Sequence, residues 1–309
     1  MRRMLIDTDT ASDDALAIIM ALRDEKVKVE AITIVAGNVP LDTATKNALI
    51  SIERADTYHP PVYKGSAKPM MRPLFTAEFV HGDDGMGNMN LPEPSITAQS
   101  GHAIDVLIDF IESNPGEMEL VTLGPLTNIA LAYLKQPSIA RKVKRVVIMG
   151  GTGAGPGNIT PVAEYNFFVD AQAAHIVMHS GMPLTLVGWD VSTDKTFITE
   201  QDIQYLTSTN SSLADFCVRC NQSLQEHNLI WGKRGFDLPD PAAMFCAIQP
   251  EMVIRKQKAF VEIEYMSKHG YGQSIIDFHG LTKKEPNAEV VLEIDAKAFK
   301  SYLFQQITD

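Results

Sequence analysis

The fold of this chain is decided near its start, by the segment MLIDTDTASDDALAIIMALRDEKVKVEAITIVAGN at residues 4–38. A short apolar run, MLID at 4–7, precedes a stretch of helical period from residue 13, and a second apolar run follows at 29–37. Strand, helix and strand in this order form the repeating unit of a parallel sheet covered by helices. The segment therefore predicts an α/β fold.

The same alternation continues beyond this segment. Further strands are predicted at 118–123, 145–149 and 183–188, and helices near 41–55 and at 101–113, 125–135 and 170–179. Together these elements predict an open, mostly parallel sheet of about five strands with flanking helices and a Rossmann-like core. Because no repeat or Ser/Gly-rich linker interrupts the pattern, we predict a single domain over residues 1–309.

Composition limits the classes of partner. Lys and Arg number 27 against 38 Asp and Glu, a formal charge of −11, so we expect no binding to nucleic acid or anionic membranes. No apolar run approaches the ~20 residues of a membrane span. Acidic residues begin at Asp7, too early for the core of a signal peptide, and 3 cysteines fit reduced thiols. We therefore expect a cytoplasmic protein.

Aspartates crowd the segment DTDTASDDA at 7–15. Asp13 and Asp14 fall in the first turn of the predicted helix, where carboxylates oppose the positive end of the helix dipole and Ser12 can cap the helix. That explanation does not extend to Asp7 and Asp9, which lie where the buried strand ends. Clustered acids repel one another unless a cation or shared protons relieve them; a cation is the simpler explanation, and carboxylate oxygens favour Ca²⁺ or Mg²⁺. The cluster therefore predicts a divalent metal site.

Two segments rich in Gly, Pro and Asn, residues 65–100 and 150–163, predict loops beside the carboxyl ends of the strands, where such sheets bind ligands. Other motifs are weaker. LIDTDT at 5–10 is also similar to the aspartate nucleophile motif of Mg²⁺-dependent phosphatases. The pairs Cys217 with Cys220 and His175 with His179 are interpreted as packing or surface residues, because they lack the context of redox or zinc sites.

Ordered segments along most of the chain resemble the nucleoside hydrolase family. They are DTDTASDDA at 7–15, IVAGN at 34–38, HGDDGMG at 81–87, TLGPLTNIALA at 122–132, VVIMGG at 146–151, NITPVAEYNFFVDAQAAHIV at 158–177 and LPDPAA at 238–243. The resemblance implies the nucleoside hydrolase fold and hydrolysis of the N-glycosidic bond of ribonucleosides, which releases ribose and a base for purine or pyrimidine salvage. A Mg²⁺-dependent phosphatase and a non-catalytic nucleoside-binding protein stay as alternatives.

The resemblance also implies the residues of the site. One Ca²⁺ is expected on Asp9, Asp14, the main-chain carbonyl of Leu123 and Asp240, with room left for two ribose hydroxyls and a water. Asp9 is the implied general base that activates this calcium-bound water. The implied substrate-binding residues are Asp13, Asn38, His81, Met149, Asn158, Glu164, Asn166, His227 and Trp231. A homodimer or homotetramer is expected.

One position departs from the family pattern. In inosine-uridine-preferring members a histidine that can protonate the leaving base precedes the last calcium aspartate, but this chain has Pro239 there. Candidates for another proton donor are His227, Trp231, Asp237 and His81. The departure leaves the base specificity open and does not affect the ribose chemistry.

Overall fold

The structure is a computed structural model that describes residues 1–308. Its strands are β1 (Arg2–Thr8), β2 (Val27–Ile34), β3 (Val62–Lys64), β4 (Met118–Thr122), β5 (Arg145–Met149), β6 (Leu184–Val187), β7 (Ile198–Thr199), β8 (Gly235–Phe236), β9 (Val253–Ile263), β10 (Ser274–Asp277) and β11 (Ala288–Ile294).

The α-helices are α1 (Ser12–Arg23), α2 (Leu41–Ala55), α3 (Glu78–His81), α4 (Ala103–Ser113), α5 (Thr127–Lys135), α6 (Tyr165–Val169), α7 (Ala171–Met178), α8 (Glu200–Ser208), α9 (Ser212–Cys220), α10 (Gln222–Leu229), α11 (Pro239–Ile248) and α12 (Ala296–Thr308). Short 3-10 helices cover Pro137–Arg141, Trp189–Ser192 and Pro250–Met252.

Nine of the strands form one sheet with the order β10-β9-β11-β6-β5-β4-β1-β2-β3. Neighbours from β11 to β3 run parallel, and β9 and β10 extend the sheet in antiparallel fashion. The prediction of an open, mostly parallel α/β sheet with flanking helices is confirmed. β7 and β8 pair separately as a small antiparallel ribbon.

Helices cover both faces of this sheet because its strands alternate their buried side chains between two cores. Met4 and Ile6 of β1 pack in the core that holds α1, α2, α11 and α12, while Leu5 faces the core that holds α4, α5 and α7. Residues 12–22 of α1 are all buried, which explains why this helix is apolar on nearly every side.

The sequence prediction was incomplete in two respects. The sheet has nine strands, and β3, β9, β10 and β11 were not predicted. Most side chains in the first half of β9 are exposed, so this half lacks the apolar run of a buried strand. The predicted helix at 170–179 is observed as α7, but the short helix α6 before it was not predicted; Asp170 separates the two, and its side chain accepts a hydrogen bond from the Ala173 N–H and caps α7.

The sheet reverses its direction of growth between β1 and β4. From β1 the chain builds β2 and β3 on one side, and then returns to place β4, β5 and β6 on the other. At such a point the loops after two adjacent strands diverge and leave a crevice beyond the carboxyl ends of the strands. Among the described residues no helix is both long and apolar enough to cross a membrane.

Candidate active site

Four acids meet in the crevice between β1 and β4. Asp9 follows β1, Asp13 and Asp14 lie in the first turn of α1, and Asp240 lies in the first turn of α11, which packs against α1. Asp13, Asp14 and Asp240 each offer a carboxylate oxygen, and these oxygens lie within 4.8 Å of one another. All four acids are buried, so residues from both ends of the chain form one carboxylate cluster.

Hydrogen bonds fix the orientation of two of these acids. One carboxylate oxygen of Asp9 accepts the Asn38 N–H at 2.6 Å. Asp14 accepts the Ala11 N–H at 2.9 Å and the Thr8 hydroxyl at 2.5 Å. Asp14 therefore supplies the cap of α1, and the prediction that Ser12 caps it was wrong. Ser12 lies one residue inside the helix, where its hydroxyl contacts His81 Nδ1 at 2.7 Å.

Electrostatics make this cluster unfavourable without a cation. Burial raises the pKa of Asp9, Asp13 and Asp240, and the charge of Asp14 raises each of them further. Among residues 1–308, His81 alone forms an ion-pair contact with one of these acids, and it lies 4.0 Å from Asp13. The repulsion inside the cluster is therefore not relieved by any lysine or arginine side chain of the described chain.

The donor atoms fit a hard divalent cation. Asp9 Oδ1 and Asp13 Oδ1 are buried and have no hydrogen-bond partner among the described residues. An unpartnered buried carboxylate oxygen is costly, and a metal ion is one of the few groups that relieves it. Because the donors are all oxygens, they suit Ca²⁺ or Mg²⁺ better than Zn²⁺. Asp13, Asp14 and Asp240 can therefore hold such an ion together, and Asp9 Oδ1 is also without a hydrogen-bond partner.

The fourth predicted ligand, the carbonyl of Leu123, lies at the end of β4 beside β1. The Leu123 N–H donates to the Asp7 carbonyl at 2.8 Å, which continues the pairing of the two strands. The Leu123 carbonyl oxygen accepts from Asn166 Nδ2 at 2.7 Å, and that nitrogen also lies 3.2 Å from Met149 Sδ. A carbonyl has two lone pairs, so this bond leaves one for a cation.

Two predicted sugar-binding residues bond to their own loop. The Glu164 carboxylate accepts the N–H groups of Gly151, Asn166 and Phe167 at 2.7–3.2 Å. Its burial raises the pKa of Glu164 to about 7 in spite of these bonds. Asn158 is exposed, and its side-chain oxygen accepts the Tyr165 N–H at 2.9 Å. Both side chains therefore shape the loop at 150–163, whatever contact they make with a ligand.

Of the residues predicted to surround the base, His81 is buried and lies beside Ser12 at the acid cluster. His227 is half-buried, and its ring lies 6.0 Å from that of Phe79, measured between centroids. Trp231 is 68% exposed, in the turn after α10. Phe79 is therefore an aromatic neighbour of His227 that the sequence did not indicate.

Sequence reasoning missed several residues that shape the site. Gly37 and Gly124 lie directly against the Asp9 side chain. A Cβ on either glycine would lie within 2.6 Å of an Asp9 carboxylate oxygen. The Tyr165 hydroxyl lies 2.8 Å from the Gly37 carbonyl and 2.6 Å from the Phe75 carbonyl, and so joins two loops. The glycines stood in recognised motifs, whereas no pattern separates the aromatic residues from ordinary packing.

Asp7, the remaining aspartate of the segment at 7–15, has a different role. Its Oδ2 accepts from the Thr33 hydroxyl at 2.6 Å and from Asn128 Nδ2 at 2.8 Å, so it ties β1 to β2 and α5. Burial raises the pKa of Asp7 to about 7. A phosphatase interpretation needs this carboxylate as a free nucleophile, and these bonds do not favour that role.

The fold and the site define an α/β enzyme class with a carboxylate-lined crevice, and comparisons with known proteins give the family. The family model for inosine-uridine preferring nucleoside hydrolases matches residues 4–301. The pyrimidine-specific ribonucleoside hydrolase RihA of Citrobacter koseri is 35% identical over 306 residues, which cover 98% of this chain and 97% of that protein.

Solved structures agree with this match. A plant nucleoside hydrolase has a TM-score of 0.94 and 30% identity, with 99% of each chain covered. The purine-preferring ribonucleoside hydrolase from Gardnerella vaginalis has a TM-score of 0.92 and 27% identity, over 99% of this chain and 98% of that one. The chain therefore belongs to the nucleoside hydrolase family. The predicted family, its fold and an enzyme that hydrolyses N-glycosyl compounds are confirmed.

The contact between Gly124 and Asp9 predicts that Gly124→Ala strongly lowers the activity of the enzyme. The added Cβ would lie 2.6 Å from Asp9 Oδ1 and 2.9 Å from the Asp9 nitrogen, so the acid must move. A displacement of this kind lowers kcat/KM by about a hundredfold. Steady-state kinetics measure it, with Gly181→Ala as the control: a Cβ there meets nothing within 4 Å, so its cost is the local backbone strain at φ +78°, which affects stability and not the position of Asp9. Unchanged kcat/KM in Gly124→Ala would contradict the account.

The buried His81 predicts a pH-dependent stability. Burial, and then the neighbouring His227, lower the pKa of His81 from 6.5 to about 4, so the folded state binds fewer protons here than the unfolded state. With respect to His81, the free energy of unfolding therefore has its full value above pH 6.5, and it decreases as the pH falls from 6.5 towards 4. Between pH 7 and pH 4, the unfolding free energy of wild type should decrease by about 3 kcal/mol more than that of His81→Gln.

Urea unfolding at the two pH values, in chelator, measures this difference. His279→Gln is the control, since His279 is exposed and its loss should leave the wild-type pH dependence unchanged. Equal losses of unfolding free energy in wild type and His81→Gln would show that His81 is not held neutral.

Proposed function

We propose that this enzyme hydrolyses the N-glycosidic bond of ribonucleosides and releases ribose and a free base. The observation that carries the proposal is the buried cluster of Asp9, Asp13, Asp14 and Asp240 at the sheet's switch point, in a chain of the nucleoside hydrolase family. Such a cluster is expensive to bury and needs a functional reason.

We propose Ca²⁺ as the cofactor, held by the carboxylates of Asp9, Asp14 and Asp240 and by the carbonyl of Leu123. The unpartnered Asp9 Oδ1, the second lone pair of Leu123 and the all-oxygen donor set support this assignment. When bound, the ion supplies Lewis-acid chemistry, which makes a water more acidic and orients sugar hydroxyls.

Asp9 is the general base in this proposal. Its Oδ2 accepts the Asn38 N–H with one lone pair, so the second lone pair of Oδ2 and both lone pairs of Oδ1 remain, enough for the ion and for a proton from the attacking water. As the glycosidic bond to the leaving nucleobase stretches, the ribosyl ring gains positive charge, as in other glycoside cleavages. The surrounding carboxylates, Asp13 among them, stabilise this charge.

The proposed substrate-binding residues divide between sugar and base. Those assigned to the ribose are Asp13, Asn38, Met149, Asn158, Glu164 and Asn166, and those assigned to the base are His81, His227 and Trp231. Asn166 bridges Leu123 and Met149, which supports its place at the sugar. Glu164 and Asn158 are already bonded to backbone N–H groups, so a sugar hydroxyl can use only their remaining lone pairs.

The base is the open part of the substrate. Pro239 supplies no proton to a leaving group, and the lowered pKa of His81 keeps its imidazole neutral at neutral pH, without the extra proton that a general acid would donate. The relatives are described as pyrimidine-specific in one case and purine-preferring in another. Both classes of nucleoside therefore belong in the test.

We further propose that the protein acts in salvage of purines or pyrimidines, in the cytoplasm, as one domain that assembles into a homodimer or homotetramer. The buried free thiols of Cys217, Cys220 and Cys246 support a reducing compartment. Strands from both ends of the chain share one sheet, which supports the single domain.

A nucleoside panel tests the function. Reducing-sugar release should be rapid from at least one of uridine, cytidine, inosine and adenosine, should stop in chelator, and should return with Ca²⁺. The 2′-deoxy analogue should be cleaved at least about a hundredfold more slowly, because buried groups shaped for a hydroxyl are left unpaired.

Asp9→Asn tests the general base. Its kcat should fall by about 10²–10⁴-fold, the usual contribution of a general base. Asp109→Asn, in an exposed position of α4, should leave kcat unchanged. Phosphate release from p-nitrophenyl phosphate without sugar release would favour the phosphatase. Stoichiometric nucleoside binding without sugar release would favour a binding protein.

A further inference from the structure

A second group of possible metal ligands lies outside the acid cluster. His175 and His179 stand four residues apart at the end of α7, and the sequence alone assigned them to packing or to the surface. The structure adds an acid to them. Glu262 of β9, the strand packed against α7, brings its carboxylate between the two imidazoles.

The geometry of this group is convergent. Glu262 Oε1 lies 2.8 Å from His175 Nδ1 and 2.9 Å from His179 Nε2. The three ligand atoms lie within 4.8 Å of one another. A carboxylate oxygen only accepts hydrogen bonds, so both imidazoles direct a nitrogen to the same point. A single ion placed there can replace the two hydrogen bonds with three coordinate bonds.

Neighbouring aromatic rings hold the ligands in place. The Tyr265 ring packs on that of His175 at 4.5 Å, and the Phe260 ring lies 5.8 Å from that of His179, both measured between centroids. The side chains of the three ligands are 30–36% exposed, so an ion can reach them from solvent. The ligands are therefore partly ordered before any ion binds, which lowers the entropic cost of binding.

The donor set selects the class of ion. Two imidazole nitrogens and one carboxylate oxygen suit late first-row divalent ions such as Zn²⁺, whereas Ca²⁺ and Mg²⁺ prefer oxygen alone. Histidines four residues apart on a helix are a recurrent zinc-binding pair, and here the second, His179, is the C-cap residue of α7. The fourth position of a tetrahedral site would face solvent and take a water.

One charge opposes the ion. Lys284 Nζ lies 3.8 Å from the other oxygen of Glu262, Oε2, and 4.3 Å from the centroid of the Phe260 ring. It leaves Oε1 to the imidazoles, but its positive charge lowers the affinity for a cation. Removal of this charge should therefore tighten the binding of the cation. A cluster that serves only to form hydrogen bonds would show no such effect.

We propose that His175, His179 and Glu262 form a surface site for a divalent transition ion of the Zn²⁺ class, which clamps α7 to the antiparallel extension of the sheet. The site shares no residue or element with the acid cluster. Because the ion would bind the folded chain and not the unfolded one, it should raise the melting temperature of the protein.

Zinc titration of the full chain by calorimetry, in saturating Ca²⁺, tests the proposal. Wild type should bind one Zn²⁺, and Co²⁺ at the same site should give the visible absorption of a low-symmetry, imidazole-ligated ion. His179→Ala and Glu262→Gln should each weaken Zn²⁺ binding by at least about tenfold, since even the loss of an outer partner has that effect. Lys284→Ala should bind Zn²⁺ more tightly than wild type.

The control variant is His279→Ala, which removes an exposed histidine elsewhere and should leave the Zn²⁺ affinity unchanged. Each variant is compared with its own metal-free melting temperature, so a loss of stability is distinguished from a loss of binding. Nucleoside cleavage should persist in His179→Ala. Absence of Zn²⁺ binding in wild type, or equal affinity in wild type, His179→Ala and Glu262→Gln, would overturn the proposal.

Discussion

The repulsion among four buried carboxylates is the constraint on which the rest of this structure depends. Asp9, Asp13, Asp14 and Asp240 are almost removed from water, and no lysine or arginine of residues 1–308 lies within 4.0 Å of them. Helix N-termini help, because three of these acids lie in the first turns of α1 and α11. That effect is about 0.3–1 kcal/mol per acid, against several kcal/mol for burial of each charge. The attraction of the proposed cation would be large enough to balance the cluster, and protonation of some of the acids, whose pKa values burial raises, is the alternative.

The fold brings these acids together from opposite ends of the chain. β1 ends at the switch point of the sheet, α1 starts directly after it, and α11 packs on α1 so that both helices begin at the crevice. Glycines at 37 and 124 allow the loops to approach Asp9 so closely that no Cβ fits between them. The crevice is thus tightly packed around the proposed base, while Phe75, Phe79 and His227 form a separate group of neighbouring rings.

The sequence predicted the parts of this arrangement that follow from local patterns. The aspartates between Asp7 and Asp14 predict the acid cluster, and the apolar runs predict the central strands. Contacts distant in sequence escaped prediction: Ser12 bonds to His81 instead of capping α1, and Glu262 joins His175 across 87 residues. β9 was missed since half of it is polar and exposed. The role predicted for Trp231 stays a prediction, and its 68% exposure depends on packing that no local pattern encodes.

The central claim is that one divalent ion holds this cluster together, and calcium binding tests it most directly. Equilibrium dialysis should find one high-affinity Ca²⁺ per chain, and the melting temperature should rise with its concentration. At a hundred times Kd the gain in unfolding free energy is about 2.7 kcal/mol. Asp240→Asn should lose both effects. A chain that binds no divalent ion, and melts at the same temperature in chelator and in saturating calcium, would contradict the account.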